Sequence, residues 1–281
     1  MALSDTQRRF LLFGTDEPVE PMRRLHAGEL SAEFDRGNLR YIRWGGFEVL
    51  RGVAFVVRDT GWGTYTPVLV GVEVREEPGR FTVRHEANVG SADGSFRFAV
   101  EIAGSVDGTL TFHGKGESPD GFATNRTGFV VLHPLVGVVG QPLSVEHATG
   151  GVSGARFPDL IDPKQPVLDI RALRHEAAPG LSISVRMEGD TFEMEDHRNW
   201  TDASFKTYVR PLSWGFPYRI EPGTAFARRA HHQRFVATRP AYCRRHYHPD
   251  CRRGRNDARY RPLHPRCGNW KRSGRSANEP N

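Results

Sequence analysis

The 281-residue chain is 38% hydrophobic and 26% charged, which suits a soluble globular protein, and no run of eighteen apolar residues is present to span a bilayer. Its net charge of +6 is unevenly placed: residues 228–281 hold 15 Lys and Arg against 3 Asp and Glu, leaving 24 and 30 in residues 1–227. The body is therefore acidic, which argues against nucleic acid as a partner, because phosphate binding draws on Lys and Arg.

Residues 1–30 read as a lead-in. Asp5 to Phe13 has the pattern of one short helix, with Arg8 and Arg9 preceding the apolar run Phe10-Leu11-Leu12-Phe13. That run is too short for a signal-peptide core and no small-residue cleavage site follows, so the expected address is cytoplasmic. From residue 31 to 225 the chain reads as strands. Phe47 to Val57 and Phe129 to Leu132 are nearly continuous apolar runs, as in buried strands. Ser95 to Ile102, Thr109 to His113 and Leu181 to Met187 alternate apolar and polar residues, as half-buried strands do. Turn residues fall between them: Glu77-Pro78-Gly79, Ala92-Asp93-Gly94, Val106-Asp107-Gly108, Ser118-Pro119-Asp120-Gly121 and Pro179-Gly180. Many short strands with few helices predict an all-β fold, a large antiparallel β-sandwich.

Three segments carry candidate chemistry. The first runs from Asp35 to Gly46 and on to Tyr65. There Arg40, Arg43 and Arg51 are candidates to hold a carboxylate or an oxyanion, and Trp44 and Trp62 read as core. The second, Asn125 to Pro134, places Arg126 and His133 at opposite rims of a sheet. The third is the acidic run Met187 to Asp202. If Thr191 to Asp196 is a strand, Phe192 and Met194 face the core while Glu193 and Glu195 share the other face, ~7 Å apart. Two carboxylates that close repel unless a cation sits between them, and Arg198 and Lys206 are the candidate cations. His197 and Asp202 add a titrating group and an orienting carboxylate, and Trp200 and Tyr208 offer aromatic faces of the kind sugars stack on.

The tail, residues 226–281, changes character. From 228 on its only Val, Ile, Leu, Met or Phe residues are Phe235, Val236 and Leu263, so it cannot bury a core. Three readings compete: a disordered basic arm, a zinc site drawn from Cys243, His246, His248, Cys251, His264 and Cys267, or an out-of-frame translation of a GC-rich gene. The spacing matches no paired structural-zinc pattern, so no metal is assigned. No G-x-S-x-G elbow, H-E-x-x-H or phosphate loop is present either, and no cofactor is expected.

Gly37 to Arg43, Trp62 to Tyr65, Asn125 to Phe129 and Phe192 to Asp202, taken in order over roughly residues 30–220, resemble the D-apionate lactonase family. The resemblance implies a hydrolase of sugar-acid catabolism that opens an aldonolactone ester. It also implies a longer protein in which a β-sandwich precedes a TIM barrel, with this chain as the N-terminal fragment. The Glu195-Asp196-x-Arg198-Asn199-Trp200 run is similar to one in galactose-mutarotase-type sandwiches. The expected ligand is a small sugar acid or its lactone. Glu193, Glu195 or His197 would activate water. Arg198 or Arg126 would stabilise the oxyanion, with Trp200, Asp202, Lys206 and Tyr208 completing the binding surface. The alternatives are a non-catalytic carbohydrate-binding module and a mutarotase-like epimerase.

Overall fold

The computed structural model describes residues 3–16, 22–91, 94–234 and 236–237. The tail beyond 237, with its candidate zinc ligands, and the Ala92-Asp93 turn lie outside the described residues. Helix α1 (Asp5–Phe13) starts at a capping box, in which the Ser4 hydroxyl accepts from the Gln7 N–H and the Gln7 side chain accepts from the Ser4 N–H. It ends at Gly14, whose φ of 73° only glycine adopts cheaply. No helix among the described residues is long and apolar enough to cross a membrane.

The strands follow: β1 (Arg23–Ala27), β2 (Leu30–Asp35), β3 (Asn38–Trp44), β4 (Phe47–Arg58), β5 (Val68–Glu77), β6 (Arg80–Ser91), β7 (Gly94–Ser105), β8 (Thr109–Glu117), β9 (Phe122–Thr124) and β10 (Arg126–Pro134). Then come β11 (Pro142–His147), β12 (Val152–Arg156), β13 (Val167–Ala178), β14 (Leu181–Glu188), β15 (Phe192–Asp196), β16 (Ser204–Val209), β17 (Tyr218–Ile220), β18 (Phe226–Arg234) and β19 (Val236–Ala237). Sequence punctuation sets several of the joins. Pro78-Gly79 turns β5 into β6, Pro179-Gly180 turns β13 into β14, and Asp107-Gly108 turns β7 into β8. At the last, the Asp107 carboxylate accepts from the Thr109 N–H at 2.9 Å.

Every pairing is antiparallel, and the pairings trace two layers. The first runs β1-β2-β3-β4-β10-β16-β15-β13, and the second runs β5-β6-β7-β8-β18-β14-β13. Strand β13 belongs to both. Its first residues pair with β15 and, past a register shift, its later ones pair with β14. The inward faces meet in one apolar core. Phe55 of the first layer stacks on Phe98 of the second at 4.3 Å between ring centroids, and Phe129 meets Phe112 edge-on at 6.0 Å. Such ring pairs contribute about 0.5–1.5 kcal/mol each beyond their burial. Gly114 on β8 lets the layers come this close, since a Cβ there would stand 2.8 Å from the Phe55 ring. The expected β-sandwich is thus the observed fold. Its sheet continues past residue 225, because β18 pairs with both β8 and β14.

Candidate functional site

The outer face of the first layer carries the acidic strand. In β15, Phe192 and Met194 are fully buried toward the core, which turns Glu193 and Glu195 to the opposite face. Register then sets their neighbours: Glu193 lies opposite Tyr208, Glu195 opposite Lys206, and, two strands over, Arg126 opposite Arg58. Thr191 falls just before the strand.

Arg126 sits at the centre. It donates from Nη2 to Glu193 Oε1 at 3.0 Å and from Nη1 to Glu195 Oε1 at 2.8 Å, and its guanidinium lies 4.2 Å over the Tyr208 ring. The cation between the two carboxylates is therefore Arg126, rather than Arg198 or Lys206. It is 2% exposed, so it stands in a buried network and not at an open rim. His133, at the far end of β10, is buried as well and bonds Thr207 Oγ1 at 2.9 Å.

The environment pushes the two carboxyl groups apart. Burial raises Glu193 above the usual range, and neither the Leu212 N–H at 2.9 Å nor Arg126 fully offsets it. Burial also acts on Glu195, but the hydrogen bond with His197 and the Arg126 guanidinium outweigh it and hold Glu195 below the usual range. His197 Nε2 lies 3.0 Å from Glu195 Oε2. An ionised carboxylate only accepts, so Nε2 carries the proton and Nδ1 is the basic nitrogen.

A cavity of about 600 Å³ opens over this network. Of the sequence-predicted residues, Arg126, Glu195, His197, Trp200 and Tyr208 line it. Glu193, 1% exposed, lies beneath and positions Arg126. Tyr208 is 2% exposed, so the Arg126 guanidinium rather than a ligand covers its ring. Arg198 is turned away from the cavity. It grips Asp196 (Nη2 to Oδ2, 2.7 Å) and donates to the carbonyls of Pro158, Asp159 and Leu160, pinning the loop that forms one wall. Lys206 and Asp202 pair with each other at 2.5 Å and do not line the cavity.

Arg58, Trp62, Lys164, Gln165 and Asn199 also line the cavity. Trp62 is held at φ 72°, a costly backbone state for a bulky residue. The turn around it is fixed by Asp59, whose Oδ1 accepts from the N–H groups of Gly61 (2.8 Å) and Gly63 (2.7 Å). The Asp59-x-Gly61-Trp62-Gly63 pattern is the sequence signal for that turn. Lys164 follows a local turn in which its N–H donates to Asp162 Oδ1 at 2.9 Å, and that turn is held at the cavity where the Asp162 N–H donates to Asp196 Oδ2 at 3.0 Å, beside the Arg198 anchor. Arg40, Arg43 and Arg51 lie elsewhere, Arg40 near Asp35 and the other two around the Tyr41 ring. Trp44 is partly buried against the core.

The family model described as D-apionate lactonase, N-terminal domain, matches residues 10–233. A D-apionate lactonase from Brucella anthropi is 47% identical over 228 residues, which is 81% of this chain and 37% of the relative. The chain thus spans little more than a third of that relative's length. Among solved structures, the Slr1438 protein from Synechocystis sp. PCC 6803 overlays 83% of this chain and 98% of its own, with TM-score 0.52 at 11% identity, a likeness of fold alone. A GalM/aldose epimerase homologue from C. elegans overlays 77% and 99% at TM-score 0.47 and 12% identity, and that looser likeness decides nothing.

Proposed function

From the premise that the chain belongs to the D-apionate lactonase family and carries its N-terminal domain, we propose that the cavity over Arg126 binds a polyhydroxylated sugar lactone and opens it to the acid, the lactone of D-apionate being the substrate the relative's name suggests. The observation that carries this is the Glu195–His197 hydrogen bond of 3.0 Å at a cavity walled by Trp62 and Trp200. In this reading His197 takes a proton from water as the water oxygen attacks the lactone carbonyl carbon. Glu195 orients the ring and stabilises the imidazolium. The ring C–O bond then breaks, His197 returns the proton to the leaving alkoxide, and the product is a hydroxy acid that ionises. Arg58 and Arg126 are the guanidinium groups available to the developing oxyanion. Arg126 is already engaged by two carboxylates, so Arg58 is the stronger candidate.

The test is lactone hydrolysis by the chain, followed as acid release. His197→Gln and Glu195→Gln should each slow turnover by roughly 10²- to 10⁴-fold while the circular dichroism spectrum is kept. Unchanged turnover in both variants would sink the reading. The 73% exposure of Trp200 at the cavity mouth favours a second reading, a carbohydrate-binding module that serves a catalytic centre elsewhere in a longer protein. Binding of the sugar acid by the unsubstituted chain, with no hydrolysis at all, is the result that would select it.

A further inference from the structure

We infer that the cavity contains a carboxylate-binding subsite made by Arg58 and Lys164, so that it holds the open-chain, anionic form of its sugar ligand more tightly than any uncharged form. The inference rests on the reading of this cavity as a sugar site, and it adds which end of the ligand is recognised and by what.

Charge accounting around the cavity carries it. Arg126 is matched by Glu193 and Glu195 at 3.0 and 2.8 Å, and Asp196 is matched by Arg198 at 2.7 Å. Arg58 and Lys164 line the same cavity, and among the described residues neither has a carboxylate within ion-pair distance; Asp162, a lining carboxylate in no ion pair, turns an oxygen to its own loop, where Oδ1 accepts from the Lys164 N–H at 2.9 Å. Among the described residues Arg58 donates only to neutral acceptors, the Trp62 carbonyl at 2.9 Å and the Tyr208 hydroxyl at 3.4 Å, and its buried Nε has no partner there. Arg58 also lies directly opposite Arg126 across the β4–β10 ladder, a like-charged pairing that a sheet disfavours. A buried donor without an acceptor and a cation without a counter-charge are both relieved by one ligand group, a carboxylate. It accepts from a guanidinium through two oxygens, and an ammonium can approach it as a point charge. A neutral lactone or polyol supplies no such charge.

Calorimetry with D-apionate, the acid of the proposed reaction, and with the uncharged polyol made by reducing its carboxyl group tests this on the full chain. The acid should bind at least tenfold more tightly than the polyol, and the difference should shrink as salt is raised from 50 to 500 mM, a range set by screening. Arg58→Met and the loop variant Lys164→Ala should each weaken the acid about tenfold or more and leave the polyol unchanged. Lys164 is exposed on its loop, so its variant folds even if the Arg58 variant does not. The acid is the end product and its binding needs no turnover, so acid binding by a chain that hydrolyses no lactone separates this inference from the hydrolytic reading. Equal affinity for acid and polyol, or undiminished acid binding by Lys164→Ala and Arg58→Met, overturns it.

Discussion

The two outer faces of the sandwich are built from the same kind of alternating strand, yet they hold their charges in opposite ways. On the second layer, cross-strand partners Arg84–Glu101 and Arg97–Glu117 pair in the open, with side chains 38–62% exposed. On the first layer, Arg126, Glu193 and Glu195 are roofed by the turn at Asp59–Gly63, the loop pinned by Arg198, and the backbone at Leu212. Exposed pairs exchange water for each other at little gain. Buried ones lose hydration and must be satisfied by geometry. Sheet alternation therefore does not by itself make a site: the loops decide which charged face becomes chemically consequential. A second depression, of about 820 Å³, lies on the second layer around the exposed Arg84–Glu101 pair.

Breaking the buried face should cost most. Arg126→Met removes the cation between buried Glu193 and half-buried Glu195 and should destabilise the fold by about 3–5 kcal/mol, measured as a urea midpoint. A midpoint shift under 1 kcal/mol would mean that water already reaches Glu193 and Glu195. Next is acid. His133 and His175 are packed in the interior around Phe157, and burial lowers both, His175 to about 4. Each binds its proton in the unfolded chain near pH 6.5 but not in the folded one. Their contribution to stability is thus constant above that value and falls as pH drops from 6.5 toward 4, by on the order of 3 kcal/mol for His175. His175→Phe should flatten that part of the midpoint-versus-pH curve, and an unchanged slope would place the linkage elsewhere. Smaller still, Arg198→Ala should cost about 1–2 kcal/mol. Its distinguishing sign is faster hydrogen exchange in residues 158–165, and exchange rates left as they were would deny Arg198 its anchoring role. At the bottom of the scale, Arg97→Ala on the exposed face should leave the midpoint within error. A clear loss there would erase the contrast between the faces.

Much of this was legible in the sequence. The turns at Pro78-Gly79, Asp107-Gly108 and Pro179-Gly180 were, because proline fixes φ, glycine admits the positive φ these turns use, and aspartate bonds the backbone two residues on. The faces of Phe192 to Asp196 were, because alternation is a property of the strand itself. The identity of the cation between Glu193 and Glu195 was not. Arg198 and Lys206 are near in sequence, but Asp196 and Asp202 capture them first, at two and four residues' distance. Arg126 arrives from a strand that reaches β15 only through β16, and no local pattern encodes that order. Lys164 is an intermediate case: its turn on Asp162 is local, but the contacts of Asp196 and Arg198 that bring the loop to the cavity are not.

Strand β18 has a bearing on synthesis. Until it is made, β8 and β14 have one neighbour each in the second layer, β7 and β13, and both present an open hydrogen-bonding edge. A nascent chain that has emerged only as far as residue 225 therefore offers two bare templates for pairing with other chains. Strands β18 and β19 cover both, β19 taking Leu181 and Ser182 of β14, which makes the last-made part of the described sheet the one that guards it against association.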